Sequence, residues 1–138
     1  MIVLDTNVVS ELMRPRPEPA VVDWVDHQTA DDLAITALTA AELRAGVALL
    51  EPGRRQRDIY RRVEDLLGGT FAGRVLAFGV DSTAGYASIV AGRRRAGRPI
   101  SAFDAQIAAI CAEHKSSLAT RNLDDFSGIG LQLINPWR

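Results

Sequence analysis

The sequence predicts an α/β fold: a central parallel sheet of four or five strands with helices covering both of its faces. Three observations predict it. Apolar runs of strand length recur along the chain, at Ile2–Leu4, Leu33–Thr36, Val75–Phe78, Ser117–Thr120 and Leu131–Ile134. Segments of helical period separate most of them, and parallel strands require such crossovers. The runs are also apolar almost throughout rather than alternating, as strands buried on both faces are. With 138 residues and 47% hydrophobic content, the chain suits one continuous core, and a single domain is expected over residues 1–138.

Taken in order, Ile2-Val-Leu4 is a buried strand that stops at the turn Asp5-Thr-Asn7. A helix follows over Val8–Met13 and ends before Arg14-Pro15-Arg16-Pro17, where proline cannot continue it. A second helix begins near Pro19 and turns Ala20, Val21, Trp24 and Val25 inward, with Trp24 in the core. The strand Leu33–Thr36 leads into Thr39-Ala-Ala-Glu42, a capping box that opens a helix running to about Leu50. After Pro52-Gly53, Arg54–Leu67 forms an amphipathic helix with Ile59, Val63, Leu66 and Leu67 on one side, ended by Gly68-Gly69. Beyond the strand Val75–Phe78, Asp81 or Ser82 caps a helix that carries Tyr86, Ile89 and Val90 and fades at Gly97-Arg98-Pro99. Ser101-Ala-Phe-Asp104 is a second capping box, opening a helix through Ile107, Ile110 and Cys111 toward His114. The strands Ser117–Thr120 and Leu131–Ile134 complete the chain before Asn135-Pro136.

The sole cysteine, Cys111, lies in an apolar run, which suits a buried, reduced thiol. Met1-Ile-Val-Leu4 meets Asp5 at once, with no basic leader, long apolar stretch or cleavage signature, so a cytoplasmic protein without a membrane segment is expected. A formal net charge of −1 argues against nucleic-acid binding by bulk electrostatics alone. The positive charge is nevertheless clustered: Arg54, Arg55, Arg57, Arg61 and Arg62 form one group, and Arg93, Arg94, Arg95 and Arg98 another. Solvated helix faces explain either cluster; steering of a phosphate backbone is the sharper alternative.

In an open parallel sheet, ligands bind outside the carboxyl ends of the strands. Asp5 falls at that edge, Glu42 and Asp104 are placed in the first turns of helices, and Asn122, Asp124 and Asp125 follow the strand ending at Thr120. Singly, each acid has a structural explanation, as an Asx turn at Asp5 and as capping-box residues at Glu42 and Asp104. Jointly, carboxylates gathered at one edge repel one another unless a cation compensates. Oxygen donors, with no cysteine cluster and with His27 and His114 isolated at the surface or at helix ends, point to Mg²⁺ or Mn²⁺ rather than zinc.

Four segments resemble the successive motifs of PIN-domain ribonucleases: Ile2-Val-Leu-Asp-Thr-Asn-Val-Val9, Thr39-Ala-Ala-Glu-Leu-Arg-Ala-Gly46, Ala102-Phe-Asp-Ala-Gln-Ile-Ala108 and Ala119-Thr-Arg-Asn-Leu-Asp-Asp-Phe126. Their order and spacing also agree, and the resemblance spans essentially the whole chain, down to Asn135-Pro136-Trp137. It is nearest to the VapC toxins, in their FitB-like branch. The resemblance implies a PIN-like three-layer α/β/α fold and an endoribonuclease acting as the toxin of a type II toxin–antitoxin pair. It implies Asp5, Glu42 and Asp104 as ligands of Mg²⁺ or Mn²⁺, and these three with Asp125 as the catalytic acids. The fourth motif departs from some relatives, since Asn122 stands where they carry aspartate, which leaves Asp125 and Asn122 as alternatives around the metal or at a second one. Thr6, Asn7, Thr120 and Asn122 are expected to support the site, the two threonines and Asn7 by hydrogen bonds that orient the carboxylates.

The reaction so implied is attack on a phosphodiester by water that a divalent cation activates, leaving a 5′-phosphate and a 3′-hydroxyl. The implied partners are RNA, a cognate VapB-like antitoxin whose tail covers the acidic groove, and a second copy of the chain in a homodimer. Arg44 and Arg121 lie near the motifs, where a solvated helix residue is the simpler account of Arg44. A haloacid-dehalogenase-type phosphohydrolase would need aspartate where Asn7 stands, and a receiver domain a late lysine, whereas the only lysine, Lys115, precedes the fourth strand. A non-catalytic PIN-like module that binds RNA or protein is the remaining alternative.

Overall fold

In the computed structural model, which describes residues 1–138, five short strands form one all-parallel sheet. They are β1 (Ile2–Leu4), β2 (Leu33–Thr36), β3 (Val75–Leu76), β4 (Ser117–Ala119) and β5 (Leu133–Ile134), in the order β3-β2-β1-β4-β5. The helices are α1 (Thr6–Leu12), α2 (Pro19–Asp26), α3 (Ala37–Ala48), α4 (Arg54–Asp65), α5 (Val80–Arg95), α6 (Ala102–His114) and α7 (Leu123–Phe126). The chain leaves β1 on one side for β2 and β3 and returns on the other for β4 and β5. The crevice between the carboxyl ends of β1 and β4 is therefore the topological switch point, the place where such sheets bind ligands.

Strand side chains alternate between faces, and the two cores follow that alternation. Val3 and Leu118, paired in register, face a core built from Ile89 of α5, Ala105, Ile107, Ala108 and Cys111 of α6, and Phe126 of α7. Leu4 and Ala119, the next pair, face the opposite core with Val8 and Val9 of α1, Val21 of α2, Ile35 of β2 and Phe71. Helices thus cover both faces in three layers, as the apolar strands predict. Trp24 is half-buried against the second core.

Several boundaries differ from the sequence reading. Helix α1 opens at Thr6 rather than Val8, because Asp5 is extended and its carboxylate accepts the Thr6 N–H. Helix α3 opens at Ala37: Thr36, still extended at the end of β2, caps it by accepting the Thr39 N–H. Thr39 is therefore no cap, and Glu42 lies in the second turn rather than the first. Helix α5 starts at Val80 behind Gly79, so neither Asp81 nor Ser82 caps it; Ser82 is buried and donates to Glu113 Oε1 at 3.2 Å. Strands β3 and β5 are two residues each, shorter than Val75–Phe78 and Leu131–Ile134. Helix α4 passes at Leu66–Thr70 into a wider turn closed by Phe71 N–H on Leu66 O at 2.9 Å. The one-turn α7 has no counterpart in the sequence reading. No helix is long and apolar enough to cross a membrane.

Candidate active site

Strand register assembles the centre of the site. Leu4 stands opposite Ala119, and Asp5 N–H continues the ladder to Ala119 O at 2.9 Å, so Asp5 and Thr120 leave the sheet side by side at its carboxyl edge. Thr120 is fixed from the other side by its own N–H on Ile134 O at 2.8 Å. The Asp5 carboxylate is buried and held by three donors: Thr6 N–H on Oδ1 at 2.8 Å, Thr120 hydroxyl on Oδ2 at 2.8 Å and Asn7 Nδ2 on Oδ2 at 3.4 Å. Asn7 in turn accepts Arg121 N–H at 3.3 Å, and Asn122 N–H donates to the Thr120 hydroxyl at 3.0 Å. Asn7 and Thr120 thus hold Asp5 by their side chains, while Thr6 and Asn122 contribute their backbone N–H groups.

The hydroxyls of Thr6 and Thr39 share a hydrogen bond of 2.9 Å, tying the start of α1 to the first turn of α3. Both residues are buried, as is Thr36. This chain of threonines sets the rotation of α3 and hence the direction in which Glu42 points. Sequence pattern alone makes Thr39 a cap and misses this link; the run Thr36-Ala-Leu-Thr39, with a hydroxyl at each end of one turn, is the signal that could have revealed it. Asp104 is placed as the sequence predicts, with Ser101 capping α6 by accepting the Asp104 N–H at 3.1 Å.

The three carboxyls of Asp5, Glu42 and Asp104 each feel at least one other acid of the site. Burial raises Asp5 above the usual carboxylate range; hydrogen bonds from Thr120 and Thr6 oppose this, and the charge of Asp125 adds to it. Glu42 is raised by partial desolvation of the carboxyl on an otherwise exposed side chain, then by the charges of Asp5 and Asp104. Asp104 is raised by burial and by Asp5 and Asp125, against hydrogen bonding with Ser101 and the positive charge of Arg93. Asp5, Glu42, Asp104 and Asp125 thus converge from four elements on one edge. None of the four enters an ion pair. The fold accepts this repulsion, which is the electrostatic condition that a cation relieves.

The donor set is all oxygen, which suits a hard divalent cation. As the side chains stand, no three of these groups are close enough to enclose one ion. Glu42 and Asp125 are exposed, and neither carboxylate is tied by a hydrogen bond, so both are free to rotate toward the anchored Asp5 and Asp104. The residues fit Mg²⁺ or Mn²⁺ in chemistry and in placement at the switch point. Cys111 lies buried beneath the site, its thiol pushed up to about 12, chiefly by burial, and is unsuited to be a ligand or nucleophile.

The arginines sort differently from their sequence clusters. Arg44 forms a two-bonded ion pair with Glu64 on the surface, at 2.8 and 3.0 Å. Arg121 lies over the Trp137 ring at 5.1 Å. Arg93, grouped in the sequence with solvated or phosphate-steering residues, is buried and turned onto backbone carbonyls. His27 and His114 are exposed at helix ends, the first with Nδ1 2.6 Å from Asp23 O and the second with Nε2 3.1 Å from Glu113 Oε2.

Known proteins resemble the chain along their full length. The chain is 42% identical over 137 residues to VapC ribonuclease Y4jK of Sinorhizobium fredii, covering 99% of this chain and 98% of that protein. It is 41% identical to Toxin FitB of Neisseria gonorrhoeae, over 99% of each. The crystal structure of FitAcB from Neisseria gonorrhoeae superposes with a TM-score of 0.94 at 40% identity, covering all of this chain and 99% of that one. The four motif segments lie within residues 2–130, which match the family profile of the PIN domain; the chain belongs to the PIN-domain family.

Proposed function

We propose that this protein is a metal-dependent endoribonuclease and the toxin of a type II toxin–antitoxin pair. The observation that carries the reading is the convergence of Asp5, Glu42, Asp104 and Asp125, coupled by repulsion and without an ion pair, at the switch point of the sheet. The full-length similarity to proteins named VapC ribonuclease and Toxin FitB supports the activity and the role. Asp5, Asp104 and Glu42 would hold Mg²⁺ or Mn²⁺, with Asp125 as the fourth acid. When bound, the ion supplies Lewis-acid polarisation of the scissile phosphodiester and makes a nearby water a stronger acid.

The chain's own contribution is orientation. The three donors on Asp5 fix the direction of its carboxylate, and two of them, the Thr120 hydroxyl and the Thr6 N–H, oppose the rise in its pKa that burial causes. The capped start of α6 presents Asp104 from the other side of the crevice. A groove of about 950 Å³ between α1, α3 and α4 begins at Thr6 and Glu42. Arg14, Arg54, Arg55 and Arg62 line it over an apolar floor that includes Leu43, Val47 and Ile59. Cations along the walls suit a phosphate backbone, and the apolar floor suits unstacked bases, which favours single-stranded RNA over a small phosphodiester. A cognate VapB-like antitoxin covering the acidic groove, a homodimer and a cytoplasmic location complete the proposal.

The test is cleavage of structured RNAs by purified, antitoxin-free protein in Mg²⁺ or Mn²⁺, beside Asp5→Asn and an EDTA control. Cleavage lost in both controls supports the proposal. Cleavage that survives both rejects the carboxylate–metal site. Divalent-cation binding without cleavage of any RNA turns the reading toward a non-catalytic binding module.

A further inference from the structure

Helix α7 is a single turn, Leu123–Phe126, so all of its carbonyls are at a helix end and none has an intrahelical partner to come. Phe126, 1% exposed, anchors one side of the turn in the core shared by α5 and α6. Two arginines, from the end of α5 and the turn after it, take up the carbonyls of Asp124 and Asp125, the former shared with the Ser127 hydroxyl. Arg93 Nη1 donates to Asp125 O at 2.8 Å and to Ser127 O at 3.3 Å, and its Nε donates to Arg98 O at 2.7 Å. Arg98 Nη2 donates to Asp124 O at 3.0 Å. Arg93 is only 7% exposed and forms no ion pair. Its hydrogen bonds go to neutral carbonyls alone and its charge is felt at Asp104, and for packing alone a neutral polar side chain or an apolar one would be cheaper.

We propose that Arg93 is a positioning residue: it latches the Asp125-bearing turn to the end of α5 and so aims the fourth carboxylate at Asp5 and Asp104. The latch grips the backbone carbonyl of Asp125 itself, while the side chain of that residue stays exposed. It leaves that side chain mobile about its own bonds while fixing the point from which it swings. The inference rests on the reading of the four acids as one divalent-cation site.

Charge and positioning predict opposite signs for the loss of Arg93. Removing a positive charge from the neighbourhood of four carboxylates, taken alone, tightens the binding of a cation. Releasing Asp125 weakens it, by about 10-fold or more if Arg93 behaves as residues that orient metal ligands commonly do. The experiment is calorimetric titration of Mn²⁺ into the full chain, free of RNA, for wild type, Arg93→Gln, Arg93→Lys, Asp125→Asn and the double variant Arg93→Gln/Asp125→Asn. Expected are weaker binding in Arg93→Gln, partial recovery in Arg93→Lys, and no further loss when Arg93→Gln is added to Asp125→Asn. Unchanged or tighter binding in Arg93→Gln, or losses that add in the double variant, overturns the proposal. Should Arg93→Gln fail to fold, Arg98→Gln, which cuts the same latch from an exposed position, is held to the same expectation and the same coupling to Asp125. Wild type that binds Mn²⁺, with binding lost in Asp5→Asn, isolates a failure of the latch from a failure of the site; wild type that binds none overturns both.

Discussion

At the level of single residues, the site is an arrangement that the metal-free protein tolerates at a cost. Asp5, Glu42 and Asp104 all have raised carboxyl pKa values in the folded chain. A folded pKa above the unfolded one means that the native state binds more protons in the interval between them, so stability falls as pH rises through that interval. The penalty is then fully present at neutral pH and absent below about pH 4, where the unfolded carboxyl also takes up a proton. Glu42→Gln removes one of the repelling charges without disturbing a hydrogen bond. The metal-free variant is therefore expected to melt above wild type at pH 7 and together with it near pH 4, followed by circular dichroism at both pH values. Mg²⁺ or Mn²⁺ should raise the melting temperature of wild type and do less for the variant, while EDTA should reverse the gain. A variant that melts below wild type at pH 7 would mean that Glu42 is not repelled there.

Among the elements, the position of α3 shows why site residues are harder to place than strands. Thr39-Ala-Ala-Glu42 fits a capping box by type and spacing. The cap is instead Thr36, because the chain leaves β2 extended at that residue and its hydroxyl meets the Thr39 N–H at 3.2 Å. Starting the helix three residues earlier puts Glu42 in the second turn, removes its capping role and leaves its carboxylate for the crevice. The same shift lets Thr39 reach Thr6 across the sheet edge. Thr36→Val is expected to cost about 1 kcal/mol as a lost helix cap, and to lower catalysis further by freeing the turn that aims Glu42. Denaturant unfolding and cleavage rates measured on the same preparation separate the two effects; Thr36→Ser should recover both, since it keeps the hydroxyl. In contrast, Ser101-Ala-Phe-Asp104 caps α6 as its sequence predicts, because Ser101 is itself the extended residue before the helix.

Across the molecule as a whole, a near-neutral chain separates its charges. The acids meet at the carboxyl edge of the sheet, and the groove beside them carries arginines from the turn after α1 and from α4. Arg54 and Arg55 take part in none of the ion pairs, whereas Arg14 is paired with Glu11 and Arg62 Nη2 donates to Met13 O at 2.7 Å. Charge reversal at the two free arginines, Arg54→Glu with Arg55→Glu, is thus expected to raise KM for RNA and leave kcat nearly unchanged. The logarithmic salt dependence of RNA binding should become shallower by roughly one unit for each phosphate that is no longer neutralised. A fall in kcat at constant KM, or an unchanged salt slope, would place the RNA elsewhere.

The layered parallel fold, the order of its elements and the candidacy of Asp5, Glu42 and Asp104 were legible in the sequence, because apolar runs, breakers and caps are local chemistry. The sequence also carried the resemblance on which the family assignment rests. Tertiary structure decided what depends on contacts between distant segments. The pairing of Leu4 with Ala119 sets Thr120 against Asp5 across more than a hundred residues of chain. Of the two residues of the fourth motif, Asp125 stands where its charge is felt at Asp5 and Asp104, and Asn122 gives its N–H to the Thr120 hydroxyl. Arg93 reads in the sequence as one of a row of surface cations, and the end of α5 buries it against α7. Local pattern specifies a residue's type and its element, but burial and electrostatic coupling belong to neighbours that only the folded chain brings together.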